Sequence, residues 1–498
     1  MEQKWVRVVF RQRVLIIALL LAQIVLLLFF AAGTSIAFRY VDFALNGFSI
    51  IVSLYILNKK EKAAFKITWI FMILLFPIFG GLVYAIFHTQ TTPRKLRRAT
   101  QASDKQYRPF FKLPGNSLSL LAGKYKECLP QANYLQEYAG FPIYTHTQSE
   151  FFNSGEAFFK KVLPELEKAE KYIFLEFFIL GLGVMLNPII AILEKKARAG
   201  LDIRIIYDDL GCFMSLPSNY KAHLEQKGIK CMVFNPFKPV LSSLQNNRDH
   251  RKIISIDGKV AFTGGINLAD EYINARERFG HWKDAAVVIK GEAAWSLTLI
   301  FLQMWNIYHN QKDDPAAFYP WKDSPCTVKS NGFVQPYADS PIDEENVGEH
   351  VYIQIINNAK DYVYINTPYL VVDENLLSAL TLAAKSGVDV RIITPHRWDK
   401  WMVAITSRSY YRQLIKAGVK VYEYTEGFNH SKTFVSDDKV ATVGTTNLDF
   451  RSLYLHFECG VWMYKTRAVM AVKKTSSTPF PSATRSPKKT APGMLSSA

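Results

Sequence analysis

The 498-residue chain carries 60 Lys and Arg against 43 Asp and Glu, a formal net charge of +17, and is 49% hydrophobic. That excess favours an anionic partner, either a nucleic acid or an anionic lipid surface. Five cysteines (Cys128, Cys212, Cys231, Cys326, Cys459) stand without metal or disulfide spacing, which excludes a disulfide-stapled or cysteine-ligated class.

In chain order, the first elements are apolar. Residues 14–32 carry no charge and one amide, Gln23, and residues 67–87 carry no charge. Each is long enough to cross a hydrocarbon core of ~30 Å. Residues 43–57 between them are apolar but shorter, and span only if tilted or lengthened by the preceding residues. The first run exceeds the apolar core of a signal peptide. Residues 1–87 are therefore expected to form a membrane region of two to three hydrophobic segments, placing the chain in the cell membrane as a multi-pass protein. These segments favour lipid over nucleic acid as the partner. Residues 88–112 read as a polar, basic linker.

Beyond the linker the sequence repeats itself. Ala169-Glu170-Lys171-Tyr172-Ile173-Phe174-Leu175 matches Ala359-Lys360-Asp361-Tyr362-Val363-Tyr364-Ile365, and Gly200-Leu201-Asp202-Ile203-Arg204 matches Gly387-Val388-Asp389-Val390-Arg391. Each copy alternates apolar runs with amphipathic stretches, as strands alternate with helices in an α/β sheet. The expected fold is two similar α/β lobes, residues 113–325 and 326–474, with mostly parallel sheets flanked by helices. They form a pseudo-dimer with one active site at the seam.

The repeat carries chemistry. His250-Arg251-Lys252 is followed, after four intervening residues, by Asp257, and His430-Ser431-Lys432 likewise by Asp437. Each copy then reaches a small-residue turn and an asparagine, Asn267 and Asn447. Residues 253–256 predict a strand, 257–258 a turn and 259–263 a returning strand. Lys252 and Asp257 are then ~16 Å apart, so the motif aspartates suit a turn role better than contact with the substrate. The returning strand brings each asparagine back beside the His-Lys end. Two histidines, two lysines and two amides suit a phosphoryl transition state: fixed positive charge, amide donors, a nucleophile and an acid. No cofactor is needed, and no H-E-x-x-H, paired C-x-x-C or Asp-rich metal loop occurs. A working histidine also needs an acceptor on its far nitrogen. Asp284 and Glu458, each heading the strand after a motif, are the carboxylates expected to supply it.

These motifs resemble the phospholipase D superfamily and, more finely, the bacterial cardiolipin synthases. Asn267-Leu268-Ala269-Asp270-Glu271-Tyr272 is similar to the tail of that family's first motif, Thr446-Asn447-Leu448-Asp449-Phe450-Arg451-Ser452 to its second, and Thr367-Pro368-Tyr369 to the strand before it. The resemblance implies a membrane-bound transferase that converts two phosphatidylglycerol molecules to cardiolipin and glycerol, with anionic membrane lipid as partner and no nucleic acid. It counts His250, Lys252, Asp257, His430, Lys432 and Asp437 as the catalytic signature, with His250 the nucleophile and His430 the general acid. A hydrolase releasing phosphatidic acid, or an inactive membrane protein, are the alternatives. Residues 475–498, rich in Ser, Thr, Pro and Lys and without acidic residues, are expected to form a disordered basic tail. The family folds further at this point, so the tail reads as a reading-frame artefact or a lesion.

Overall fold

The computed structural model describes residues 21, 24, 25, 28, 36–59, 62–88, 91–111, 117–237, 243–307, 313–330, 332–343, 345–477 and 483–485. The chain divides into two compact units, residues 1–95 with 237–246, and residues 96–236 with 247–498.

The first unit is helical. Ile36–Leu57 contains the second expected segment, while the first, residues 14–32, lies outside the described residues but for four positions. The third is not the single helix expected. It is split into Ala63–Leu75 and Pro77–His88 by a break at Phe76, because Pro77 has no amide hydrogen and pushes the residue before it out of the helical region. The two short helices pack closely. A Cβ on Gly80 would lie 2.4 Å from the carbonyl oxygen of Met72, so only glycine fits there. Among the described residues no helix is long and apolar enough to cross a membrane. Ile56, Ile73 and Tyr84 form a small core, and Phe43, Ile51, Ile67 and Phe71 are exposed.

The residues read as a linker are also helical, Thr91–Phe111. In the part belonging to the second unit, Tyr107 and Phe111 are buried, and the Trp295 indole donates to the Phe110 carbonyl at 3.1 Å. An amphipathic stretch has found an apolar surface to cover.

The second unit holds two lobes. In the first, strands β1 (Thr147–Phe152), β2 (Tyr172–Phe177), β3 (Asp202–Asp208), β4 (Lys230–Phe234), β5 (Arg248–Asp249), β6 (Lys252–Ile256), β7 (Val260–Gly264), β8 (His281–Lys283) and β9 (Ala286–Gly291) include a seven-stranded sheet of order β1-β9-β7-β6-β2-β3-β4. In the second, the strands are β10 (Phe333–Asp339), β11 (Tyr362–Asn366), β12 (Leu370–Val371), β13 (Asp389–Pro395), β14 (Lys420–Tyr424), β15 (Gly427–Asn429), β16 (Thr433–Ser436), β17 (Val440–Gly444), β18 (Leu448–Asp449), β19 (His456–Tyr464) and β20 (Ala483–Arg485). Its main path runs β10-β19-β17-β16-β11-β13-β14-β20.

The sheets are mixed rather than mostly parallel. Among the described residues, the parallel neighbours along the two main strand paths are β2 with β3, β3 with β4, β11 with β13 and β13 with β14. Those strands are joined through helices such as Leu186–Arg198, whose Leu186, Ile189, Ile190 and Leu193 are buried. Each motif, by contrast, is itself a hairpin, β6-β7 or β16-β17, and the next strand returns antiparallel to it.

The lobes share one core. Ala261, Val287 and Ile289 of the first sheet and Val443, Val461 and Met463 of the second pack in one cluster with the helix Ala294–Ile307, which is buried nearly throughout. After β19 the helix runs Arg467–Ser477, so residues 475–477 continue it, and Ala483–Arg485 pairs with β14. The rest of the expected tail lies outside the described residues.

Candidate active site

Each motif histidine sits just before a strand, at the end of a short segment that crosses to the other lobe. β5 pairs in parallel with the start of β19, and the His250 amide donates to the Phe457 carbonyl at 3.0 Å. β15 pairs in parallel with β8, and the His430 amide donates to the Lys283 carbonyl at 2.7 Å. The residue after each of those carbonyls is a carboxylate. Hence His250 Nδ1 lies 2.9 Å from Glu458 Oε1 and 3.0 Å from Oε2, and His430 Nδ1 lies 2.7 Å from Asp284 Oδ2. Both carboxylates are fully buried. The repeat unit that supplies a histidine never supplies its carboxylate.

Small residues make the space. A Cβ on Gly265 would lie 2.1 Å from Asp284 Oδ1, so the glycine turn after β7 is what admits that carboxylate. On the other side the hydroxyls of Thr445 and Ser452 donate to Glu458. The two lysine ammoniums turn back to the carbonyls of their own histidines, Lys252 to His250 and Lys432 to His430. Their charges act across the seam: Lys252 bears on both His430 and Lys432. The two motifs therefore converge on one site.

Burial sets the protonation states. His250 is held well below the usual imidazole range by desolvation, reinforced by Lys252 and His456 and opposed by Glu458. His430 is pushed down to about 4, by burial first and then by Lys432, with Asp284 opposing. Lys252 falls to about 8 and Lys432 to about 7, again through burial. Burial acts to raise Glu458, but His250 and then His456 outweigh it and hold it well below the carboxylate range. Near neutrality each imidazole is thus neutral, donates its Nδ1–H to a carboxylate and keeps the Nε2 lone pair free.

The remaining expected residues divide. Asn267 is committed to the fold: its Oδ1 accepts from the Ile179 amide at 3.0 Å and its Nδ2 donates to the Tyr272 hydroxyl at 2.6 Å. Asn447 differs, since its Oδ1 is buried with no hydrogen-bond partner among the described residues. Asp257 and Asp437 are not brought to the histidines, although the family signature counts them with the catalytic set. Asp257 has φ +52° in the turn after β6 and accepts three amides, those of Glu170, Lys171 and Tyr172, each at 2.8 Å. Asp437 does the same for Lys360, Asp361 and Tyr362 at 2.8, 3.0 and 2.9 Å.

Sequence reasoning missed His456. It lies two residues before Glu458, as Trp282 lies two residues before Asp284. Trp282 packs 5.3 Å from the His430 ring, with Tyr272 and Phe428 each at 5.7 Å. His456 packs 5.4 Å from the His250 ring, and neither of its ring nitrogens has a hydrogen-bond partner among the described residues. Extending the repeat two residues upstream of the carboxylates would have found the pair. His250, His456 and Glu458 bring metal-ligand atoms within 4.8 Å of one another. Glu458 already accepts from His250, Thr445 and Ser452, and two lysines flank the site, so the arrangement suits an anion better than a dication.

A profile of the family described as "Cardiolipin synthase, PLD-like domain" matches residues 162–305 and 352–476. The chain belongs to the cardiolipin synthase family. A phospholipase D-nuclease N-terminal profile adds residues 47–87. Among cardiolipin synthase relatives, that of Alkalihalophilus pseudofirmus is 35% identical over 428 residues, covering 84% of this chain and 83% of its own. An uncharacterized protein of Streptococcus mutans is 45% identical over 420 residues, covering 84% of this chain and 90% of its own. The crystal structure of phosphatidylserine synthase from Haemophilus influenzae shares the fold, with a TM-score of 0.53 at 16% identity over 68% of this chain and 88% of that one.

Proposed function

We propose that this member of the cardiolipin synthase family transfers a phosphatidyl group from one phosphatidylglycerol to the headgroup hydroxyl of another, through a covalent phosphatidyl-histidine. The observation that carries this reading is the pair of cross-lobe contacts, His250 to Glu458 and His430 to Asp284, with both lysines at the same seam. Nε2 of neutral His250 attacks phosphorus, and the bond from phosphorus to the headgroup glycerol oxygen breaks. His430 takes up a proton from solvent at Nε2 as the anionic phosphodiester binds, and that oxygen leaves with this proton. A second headgroup hydroxyl then gives its proton back to His430 and displaces His250, closing the cycle.

The division of roles follows the family resemblance. Burial depresses both imidazoles, and a carboxylate opposes it at each, Glu458 at His250 and Asp284 at His430. A bound phosphodiester anion raises the proton affinity of His430. Lys252 and Lys432 bear the charge on the nonbridging oxygens.

Membrane attachment fits the first unit, whose helices expose Phe43, Ile51, Ile67 and Phe71. Apolar side chains exposed on several neighbouring helices mark a surface meant for lipid. Radiolabelled phosphatidylglycerol given to the purified protein tests the reaction. Cardiolipin with released glycerol supports transfer; phosphatidic acid alone supports the hydrolase reading and overturns it.

A further inference from the structure

The catalytic residues lie at one end of both sheets. β2 and β6 are antiparallel with Phe177 opposite Lys252, so His250 lies at the C-terminal end of β2. Asn366 stands opposite Thr433, which places His430 and Lys432 at the C-terminal end of β11. The loops that leave β2, β3 and β13 emerge at this same end, and they carry exposed apolar side chains. After β2 these are Leu182 and Val184; after β3, Met214, which is 91% exposed. After β13 they are Trp398, Trp401 and Met402, the last two 57% and 65% exposed on the first turn of the helix Trp401–Lys416. Both lobes therefore put apolar groups around the mouth of the shared site.

The surface on the second lobe is continuous with the chemistry. A cavity lined by Pro368, Tyr369, Trp398, Lys400 and Phe428 lies against it. The Tyr369 hydroxyl donates to Asp399 and accepts from Lys400. Its ring is 6.4 Å from Phe428, which in turn packs 5.7 Å from His430. From Trp398 to the catalytic imidazole the path is lined with rings.

We infer that these loops are a membrane-docking rim: Leu182, Val184, Met214, Trp398, Trp401 and Met402 sit in the interfacial layer of an anionic bilayer and hold the site against the lipid headgroups. This rests on the phosphatidyl-transfer reading for the substrate, but the surface is read from exposure and register alone. Tryptophan at a loop or helix start suits the headgroup boundary, where an amphipathic ring meets both water and acyl chains. The charge of the whole chain, +17, is complementary to an anionic bilayer; beside Trp398, Arg397 pairs with Glu277 at 3.7 Å and Lys400 with Asp399 at 2.7 Å. A phosphodiester can reach a buried nucleophile without leaving the bilayer only if the mouth of the site is itself apolar and wetted by lipid.

The test uses the full chain in phosphatidylglycerol-containing vesicles. Met214→Cys and Met402→Cys, each in a Cys326→Ser background, carry an environment-sensitive dye; the other four cysteines are buried. Glu170→Cys, at the opposite end of β2, is the control. Headgroup-proximal nitroxide lipid should quench the dyes at 214 and 402 strongly and the dye at 170 little. Quenching at 214 and 402 no greater than at 170 overturns the inference, as does a dye protected from both water and nitroxide lipid, which marks a second protein copy on this face. The readout needs no turnover, so it stands or falls separately from the proposed reaction. A Trp401→Ser/Met402→Ser variant should lose about ten-fold in turnover on vesicles while keeping the wild-type rate on monomeric short-chain phosphatidylglycerol. Equal loss on both substrates would place these residues in the catalytic structure instead.

Discussion

The amide of His430 donates to the carbonyl of Lys283 at 2.7 Å, and the side chain of the next residue, Asp284, lies 2.7 Å from Nδ1 of the same histidine. One crossing strand thus fixes both the position of the imidazole and its tautomer. The mirror arrangement, His250 on Phe457 and Glu458, makes the site a property of two docked lobes and of neither alone.

Removing the carboxylate charge should therefore cost activity far more than stability. Glu458→Gln and Asp284→Asn keep shape and one acceptor but free the imidazole to adopt the wrong tautomer. Transfer should fall by roughly 10³–10⁴-fold, with the unfolding midpoint nearly unchanged in the folded fraction. Steady-state transfer beside a thermal melt checks this; near-full activity in Glu458→Gln would refute the assignment.

The motif aspartates should behave in the opposite way. Asp257 and Asp437 each tie three amides at the start of a strand and hold a left-handed turn. Asp437→Asn should destabilise by roughly 2 kcal/mol and lower the yield of soluble protein, while folded molecules keep measurable transfer. A well-folded but inactive Asp437→Asn would put that residue in the chemistry.

The lysines predict an alkaline limb. Lys432 and Lys252, pushed down to about 7 and about 8, lose charge as pH rises through that window, so anionic substrate binds less well and KM rises. Stability moves the other way. Both folded values lie below the unfolded value of about 10.4, so from about pH 7 upward the unfolded chain binds more protons and unfolding free energy increases with pH. Lys432→Arg, whose charge does not titrate in this range, should flatten the limb. A wild-type KM that stays constant from roughly pH 6.5 to roughly pH 9, the window around those two values, would contradict the charge assignment.

His456 should appear in the acid limb. It helps to depress His250, which in the proposed mechanism must be neutral to attack. His456→Phe removes that influence, so the pH below which kcat/KM falls should move upward, with little change at the alkaline side. A uniform loss at every pH would make His456 a packing residue only.

Much of this was legible in the sequence because the repeat shows it twice. The hairpin around Asp257 followed from strand length and turn residues, and the carboxylates at 284 and 458 from what a histidine requires. Which carboxylate serves which histidine was not legible, because the crossing segments β5 and β15 are only two and three residues long and carry no periodic signal. The sheets read as parallel because buried antiparallel strands such as β9 show the same unbroken apolar pattern. The split at Phe76 was signalled by Pro77, but the apolar run across it hid the break. Asn267 looked like an active-site donor from its place after the glycine turn; the Ile179 amide and Tyr272 hydroxyl that occupy it are distant or unremarkable in sequence.

The most direct test of the central claim is to trap the intermediate. Enzyme mixed with phosphatidylglycerol labelled in the phosphatidyl moiety is quenched in neutral denaturant, digested and mapped. The label should sit on the peptide bearing His250, should vanish in His250→Asn, and should accumulate in His430→Asn when the substrate carries a leaving group that needs no proton. Label on the His430 peptide, or label retained in His250→Asn and absent from His430→Asn, would contradict the account.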